Sequence, residues 1–353
     1  MRLRSAAAPF LAFVAALGLL SACSSAAPAS PTAAPKPAAQ QPAAAGQKAP
    51  TYTFRIGHGS ATSHPYQVGA EMFAEAVSKA SNGDIKVNIF PNGTAGDDLA
   101  MMQQAQIGGL DIATNSTAVF NSVPSIAAFQ LPFLIPSYEA AGKIYSSDAA
   151  MKLLEDVTPM GLKPLAVWEG GFRHFLSTKA AVQSPADLKG LKVRVAQSQL
   201  NMDIFNALGA SPVPIAYGEV YTALQTKTVD AVEINISSVY GLKYDEVAKY
   251  FTYTGHYMWP AIVSFSKVKW DTLPPNVQKI LADSARQVTA AQVAKAASDD
   301  EAQAAQLKAK GVQFTTVSNI QPFKDLVKPV YDKYEGLAPS IKPFVDAANA
   351  LAK

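Results

Sequence analysis

Between Tyr52 and Phe90 the chain changes period twice. Tyr52-Thr-Phe-Arg-Ile56 alternates apolar and polar residues and is rich in β-formers. From Ser63 to Asn82, Val68, Met72, Phe73, Ala76 and Val77 fall on one helical face, and Ile85-Lys-Val-Asn-Ile-Phe90 alternates again. Strand, helix, strand is the βαβ unit, which commits the chain to a parallel sheet. The pattern continues, with strands expected over Leu110–Ala113, Lys163–Trp168, Leu191–Val195 and Ala231–Ile234 and helices over Asp97–Ile107, Ser198–Leu208 and Tyr217–Gln225. Ser184-Pro185 reads as an N-cap followed by proline at the first helical position. From Pro274 to about Lys310 runs a helical stretch with little to stop it. That is long for an ordinary α/β domain, so it is expected to bridge two bodies, with a bend near Ser298-Asp299-Asp300.

The N-terminus reads as a lipoprotein signal. Arg2 and Arg4 form a basic start, Pro9–Leu20 is apolar but too short to span a bilayer, and Leu20-Ser21-Ala22-Cys23 places small residues before a cysteine. The expectation is a signal peptide over residues 1–22, with Cys23 lipidated and acting as the membrane anchor. The segment after Cys23, as far as Pro50, is nearly all Ala, Pro, Ser, Gln and Thr. It cannot bury enough apolar surface to offset its ordering entropy, so residues 23–50 read as a lipidated tether reaching roughly 30 Å.

Residues 51–353 are more than one typical core holds, which points to two domains. Cys23 is the only cysteine, so a disulfide within one molecule and a Cys-ligated zinc site are both excluded. The formal charge is +3, and Arg2 and Arg4 would leave with the signal. No basic face points to nucleic acid. The histidines (His58, His64, His174 and His256) are scattered without metal-ligand spacing, and Asp97-Asp98 and Asp299-Asp300 read as solvated turns or caps. With no nucleophile elbow, phosphate loop or dinucleotide fingerprint, neither an enzyme nor a cofactor or metal site is expected.

An ordered set of segments then narrows the reading. Gly108-Gly109-Leu110-Asp111 is followed by Leu131-Pro132-Phe133-Leu134 and Gly171-Phe172-Arg173. Next come Ser184-Pro185-Ala186-Asp187-Leu188 through Leu191-Lys192-Val193-Arg194-Val195, then Leu208-Gly209-Ala210-Ser211-Pro212 and Gly218-Glu219-Val220-Tyr221. Val229-Asp230-Ala231-Val232-Glu233 and Thr254-Gly255-His256 complete it. Over the whole folded part, this resembles the DctP-type solute receptors of tripartite ATP-independent periplasmic (TRAP) transporters. The resemblance implies an α/β, two-domain periplasmic-binding-protein fold (type II-like), with hinge strands and a long domain-spanning helix. The expected boundaries are 51–171 plus 260–299 for domain I and 172–259 plus 300–353 for domain II. It further implies a periplasmic or cell-surface location, an organic-acid ligand in the cleft, and small and large TRAP membrane subunits that take the ligand up with sodium.

The resemblance also assigns residues. Arg194 matches the arginine that grips the ligand carboxylate, a role suited to a planar guanidinium fork; the alternative is a surface arginine, solvated or paired with Asp187. Arg173 is either near the ligand or a hinge salt bridge. Tyr217 stands where a stacking phenylalanine is common, and its hydroxyl adds a hydrogen bond. Trp168 and Tyr257 are cleft-wall candidates or core. Gln197, three residues after Arg194, is a candidate for the ligand's polar groups. Where relatives carry asparagine after the glutamate, this chain has Ile234 followed by Asn235. Either Asn235 substitutes or Ile234 makes the cleft more apolar, which favours a ligand with a hydrophobic part over a sugar acid or a small dicarboxylate. Leu99 stands where many relatives place an arginine, and with fewer matching polar anchors the resemblance points to a monocarboxylate. The readings set against this one are the binding component of an ATP-driven importer, a ligand-sensing module, and a tethered hydrolase.

Overall fold

The computed structural model describes residues 51–353. The expected signal, Cys23 and the tether lie outside the described residues. Among the described residues there are eleven strands: β1 Tyr52–His58, β2 Ile85–Phe90, β3 Ile112–Ser116, β4 Leu162–Phe172, β5 His174–Ser177, β6 Lys192–Val195, β7 Ser211–Pro214, β8 Ala231–Ile234, β9 Tyr250–Tyr253, β10 Met258–Ser266 and β11 Gln313–Thr316.

They form two sheets. The first is ordered β2-β1-β3-β10-β4, with β1 parallel to β2 and β3 and with β10 antiparallel to β3 and β4. The second is ordered β11-β9-β5-β8-β6-β7, parallel at both ends, with β5 antiparallel to β9 and β8 in the middle. Prolines sit where a missing N–H is tolerated: Pro212 and Pro214 on the edge strand β7, Pro164 on the edge strand β4, and Pro260 at a register shift in β10.

The chain passes between the sheets at two short crossings. Arg173 alone separates β4 in the first sheet from β5 in the second. Thr254–Tyr257 returns the chain from β9 to β10. A third connection is the helix Pro275–Ala309, continuous through Ser298–Asp300, which packs on the helix Pro65–Ala80 and β4 and also on the helix Ile236–Gly241 that follows β8. Midway along it, buried Gln292 accepts from the Glu169 N–H (2.8 Å) and donates to the Glu169 carbonyl (2.7 Å) and the Pro65 carbonyl (3.1 Å). One side-chain amide thereby satisfies the backbone of β4 just before the crossing.

Local chemistry explains most element boundaries. His64 caps the helix Pro65–Ala80 through its Nδ1, with proline at the first helical position. Asp97 caps Asp98–Gln106 by accepting from the Ala100 N–H at 2.8 Å. The strand expected at Leu110 starts at Ile112 instead, because the Leu110 N–H still bonds to the Gln104 carbonyl and closes the preceding helix. The helix expected from Tyr217 opens as a 3-10 turn over Tyr217–Glu219, around Gly218, and becomes α-helical at Val220.

The C-terminal segment departs from the expectation that residues 300–353 stay with the second sheet. The helix Ile341–Leu351 packs on Tyr138–Tyr145 and Asp148–Leu154, and Phe344 meets Phe129 edge-on at 4.7 Å. The helix Lys328–Glu335 reaches the other way, with Lys333 (2.6 Å) and Tyr334 (2.8 Å) both on Asp203. Burial of Ile341, Phe344, Val345 and Ala348 against the first lobe outweighs sequence proximity to β11.

Candidate functional site

β5 and β8 pair antiparallel with His174 opposite Ile234, which brings Arg173 beside the residue after β8. Alternation along β8 then divides its side chains between two faces. Val232 and Ile234 enter an apolar core with Leu176, Val220 and Val239. Glu233 and Asn235 face the other way, toward Arg173. Arg173 donates from Nε to Glu233 Oε2 (2.6 Å), from Nη2 to the Glu233 carbonyl (2.7 Å) and from Nη1 to Asn235 Oδ1 (3.1 Å). Its guanidinium also lies 4.1 Å from the centre of the Trp259 ring. Arg173, Glu233 and Asn235 are all buried. Burial alone would lower the Arg173 pKa, but the Glu233 carboxylate more than offsets this and holds it above its usual value. Glu233 Oε2 also accepts from the Tyr257 hydroxyl at 2.9 Å, and that hydroxyl accepts from Asn201 Nδ2 at 2.8 Å.

Arg194 comes from β6, where it stands opposite Val232. It is 3 % exposed, yet Nε (2.9 Å) and Nη2 (2.6 Å) both donate to a single neutral acceptor, the Ile215 carbonyl. Among the described residues, no acidic side chain forms an ion pair with it; Asp187, the alternative partner, instead accepts from the Gln183 N–H (2.9 Å) and the Ser184 N–H (2.8 Å). Burial lowers the Arg194 pKa, Glu233 acts against that, and Arg173 adds to it. A desolvated cation with spare donors and no anionic partner can take a carboxylate.

The Tyr217 hydroxyl donates to Ser238 Oγ (2.9 Å), which donates to Asn235 Oδ1 (2.7 Å). Tyr217, Asn235 and Arg173 thus share one network. From the hinge, Gly170 closes the same region: a Cβ there would stand 2.8 Å from the Tyr66 hydroxyl and 2.9 Å from the Trp259 carbonyl. Those two groups bond to each other at 2.8 Å.

Hydrogen bonds thus join Arg173, Tyr217, Asn235 and Tyr257 in one network, Arg194 lies close enough to feel the charges of Glu233 and Arg173, and the rest are separated from it. Trp168 is core, packed against Phe73 at 6.1 Å and over Gly69, because neighbouring residues of β4 face opposite sides and Glu169 takes the hinge side. Ile234 is core for the same reason, so the inference of an apolar cleft from that residue fails and Asn235 takes the polar place. Gln197 is exposed, and its backbone carbonyl accepts from Asn121 Nδ2 at 3.0 Å. His256 is structural: its Nδ1 pairs with Thr254 Oγ1 at 2.7 Å and its ring lies among Phe175, Phe205 and Tyr257. Sequence reasoning did not single out Ser238 or Asn201, and it did not pair Glu233 with Arg173. The alternation in Ala231–Asn235 carried the signal for Glu233, since it puts that residue on one face with Asn235. No group of three or more His, Cys, Asp or Glu side chains among the described residues is placed to hold a metal ion.

The chain is similar to known solute-binding proteins in sequence and in fold. The model of the DctP family, described as bacterial extracellular solute-binding protein, family 7, matches residues 56–337. The 2,3-diketo-L-gulonate-binding periplasmic protein YiaO of Escherichia coli K12 is 32 % identical over 274 residues, covering 77 % of this chain and 84 % of its own. A TRAP periplasmic solute binding protein from Bradyrhizobium sp. BTAi1, solved with α/β-D-galacturonate, superposes with a TM-score of 0.80 at 33 % identity, over 84 % of this chain and 99 % of its own. The sugar acid binding protein DctPAm of Advenella mimigardefordensis, solved with galactonate, gives 0.81 at 29 % identity, over 86 % and 100 %.

Proposed function

The chain belongs to the DctP family of bacterial extracellular solute-binding proteins, and on that premise we propose that it captures a hydroxylated monocarboxylate, a sugar acid, between its two lobes. The observation that carries this is Arg194. It is buried, charged and bonded only to a neutral carbonyl, while its neighbour Arg173 is already matched by Glu233. Of these three charges, one positive charge is left uncompensated, which suits one carboxylate. Arg194 offers a fork for two parallel hydrogen bonds, and Tyr217, Ser238 and Asn235 supply neutral polar groups for hydroxyls. The galacturonate and galactonate held by two solved relatives combine these features.

In this reading, ligand capture draws the lobes together about Arg173 and Thr254–Tyr257, and the loaded receptor delivers to a small and a large TRAP membrane subunit for sodium-coupled uptake. It works in the periplasm, tethered to the membrane through lipidated Cys23. The same reading divides the two domains at residues 171/172 and 259/260 and lets the C-terminal helices reach both.

The test is thermal: the protein is refolded to strip carried-over ligand and melted against sugar acids, dicarboxylates, amino acids and neutral sugars. At about 100-fold its dissociation constant, a ligand stabilises the fold by ~2.7 kcal/mol. Sugar acids are expected to raise the melting temperature and neutral sugars of the same size to leave it unchanged. A response to neutral sugars alone would remove the carboxylate from the account.

A further inference from the structure

Side chains alternate along the extended crossing, so Phe172 and His174 face away from Arg173. On that side lies a cavity of ≈ 390 Å³, within the usual size of small-molecule pockets. Its walls include Phe133, Phe172, Tyr253 and Val317, with Lys324 among the lining residues.

His174 supplies a directed polar group. Its Nδ1 accepts from the backbone N–H groups of Thr254 (3.1 Å) and Gly255 (3.0 Å). Burial takes its pKa down to about 3, so the ring is neutral and its single proton is on Nε2. The residue is 6 % exposed, and no group among the described residues accepts from that N–H. Lys324 lies over the Phe133 ring at 5.5 Å, with no acidic side chain paired to it among the described residues. Phe133 itself has φ +60, a conformation that costs a bulky residue free energy and tends to occur at ligand clamps; its N–H is tied to the His256 carbonyl at 2.9 Å.

Aromatic walls, one unmet N–H and one unpaired ammonium define a ligand class. We infer that this cavity is a second ligand site, which takes a flat aromatic monocarboxylate with its ring against Phe172 and Tyr253 and its carboxylate between His174 Nε2 and Lys324. An aromatic cation would meet Lys324 and an N–H donor instead of an acceptor. The inference does not depend on what the cleft binds, because Arg173 faces the other side of the crossing and neither it nor Arg194, on β6, lines this cavity.

The test uses 4-fluorobenzoate, observed by fluorine NMR, with the wild type, Lys324→Glu and Arg194→Lys, each checked for folding by circular dichroism. Lys324 is exposed, so its substitution leaves the core intact. The wild type and Arg194→Lys are expected to bind the probe within about threefold of each other. Lys324→Glu should weaken binding about tenfold or more, as the loss of one charge-assisted contact requires. Ile320→Trp, which fills the cavity from a half-buried position on its wall, should weaken it at least as much. The inference is overturned if no binding is seen up to about 10 mM, if Arg194→Lys abolishes binding, or if Lys324→Glu leaves it unchanged.

Discussion

Arg173 is bonded twice to Glu233, once to its carboxylate at 2.6 Å and once to its backbone carbonyl at 2.7 Å. The pair joins the chain crossing to the end of β8 and is almost completely buried, with side-chain exposures of 2 % and 0 %. It therefore serves two ends. It fixes the hinge against the second sheet, and it removes one positive charge from a site that holds two arginines.

Glu233→Gln tests the first role. Removing one partner of a buried pair leaves the other charge uncompensated, which costs about 3–5 kcal/mol. Urea denaturation should show a loss of that size, and Arg173→Gln should show a similar one. A loss below about 1 kcal/mol for both would mean that water or another group compensates the pair.

Asp300 makes stability depend on pH. It is buried in the long helix and accepts from the Tyr138 hydroxyl, which in turn accepts from the Phe172 N–H at 3.2 Å. Burial, with Glu169 and Asp299 adding to it and the Tyr138 bond opposing it, raises its pKa from 3.8 to about 7. The folded state thus holds this proton more tightly than the unfolded chain does. The resulting stability is complete below about pH 4 and is lost as pH rises to about 7, at no more than about 1.4 kcal/mol per unit. Measured from pH 5 to 8, the wild type should lose stability relative to Asp300→Asn as pH rises, and the difference should level off above about pH 7. Parallel curves would place the Asp300 pKa outside this window.

Gly170→Ala tests the tightness of the hinge. A methyl group there meets the Tyr66 hydroxyl and the Trp259 carbonyl, and the carbonyl belongs to the backbone and cannot swing aside. Overpacking of this kind costs about 1–3 kcal/mol. The Tyr66→Phe, Gly170→Ala double variant should recover part of the loss, since it removes the nearer atom. No loss in the single variant would mean that β4 and β10 are looser here than their geometry indicates.

Much of the fold was legible in the sequence because it is written in local periods. The stretch Ile85–Phe90 and the stretch Ala231–Ile234 are strands as their alternation says, and the helix Pro275–Ala309 begins and ends within a residue of its expected limits. The site was legible only in part. Arg194 and Asn235 came from their place in a family pattern, not from any local signal. For Trp168 and Ile234 a place in the cleft and a place in the core both stayed open for want of strand parity, although Glu169 and Glu233 beside them marked the polar faces. The Arg173–Glu233 pair and the Gln292 clamp on Glu169 span 60 and 123 residues, so no window along the chain reveals them. The destination of the C-terminal helices was hidden for a similar reason, since an amphipathic face does not state which lobe covers it.

The most direct measurement is calorimetric titration of Arg194→Ala with the sugar acid that best stabilises the wild type. Truncating one partner of a buried, hydrogen-bonded charge pair costs about 2–5 kcal/mol, or about 30-fold and upward in dissociation constant. The account predicts that loss in a protein that still folds, with Arg194→Lys recovering only part of it because an ammonium lacks the fork. If Arg194→Ala binds the acid within about threefold of the wild type, then Arg194 does not hold the carboxylate.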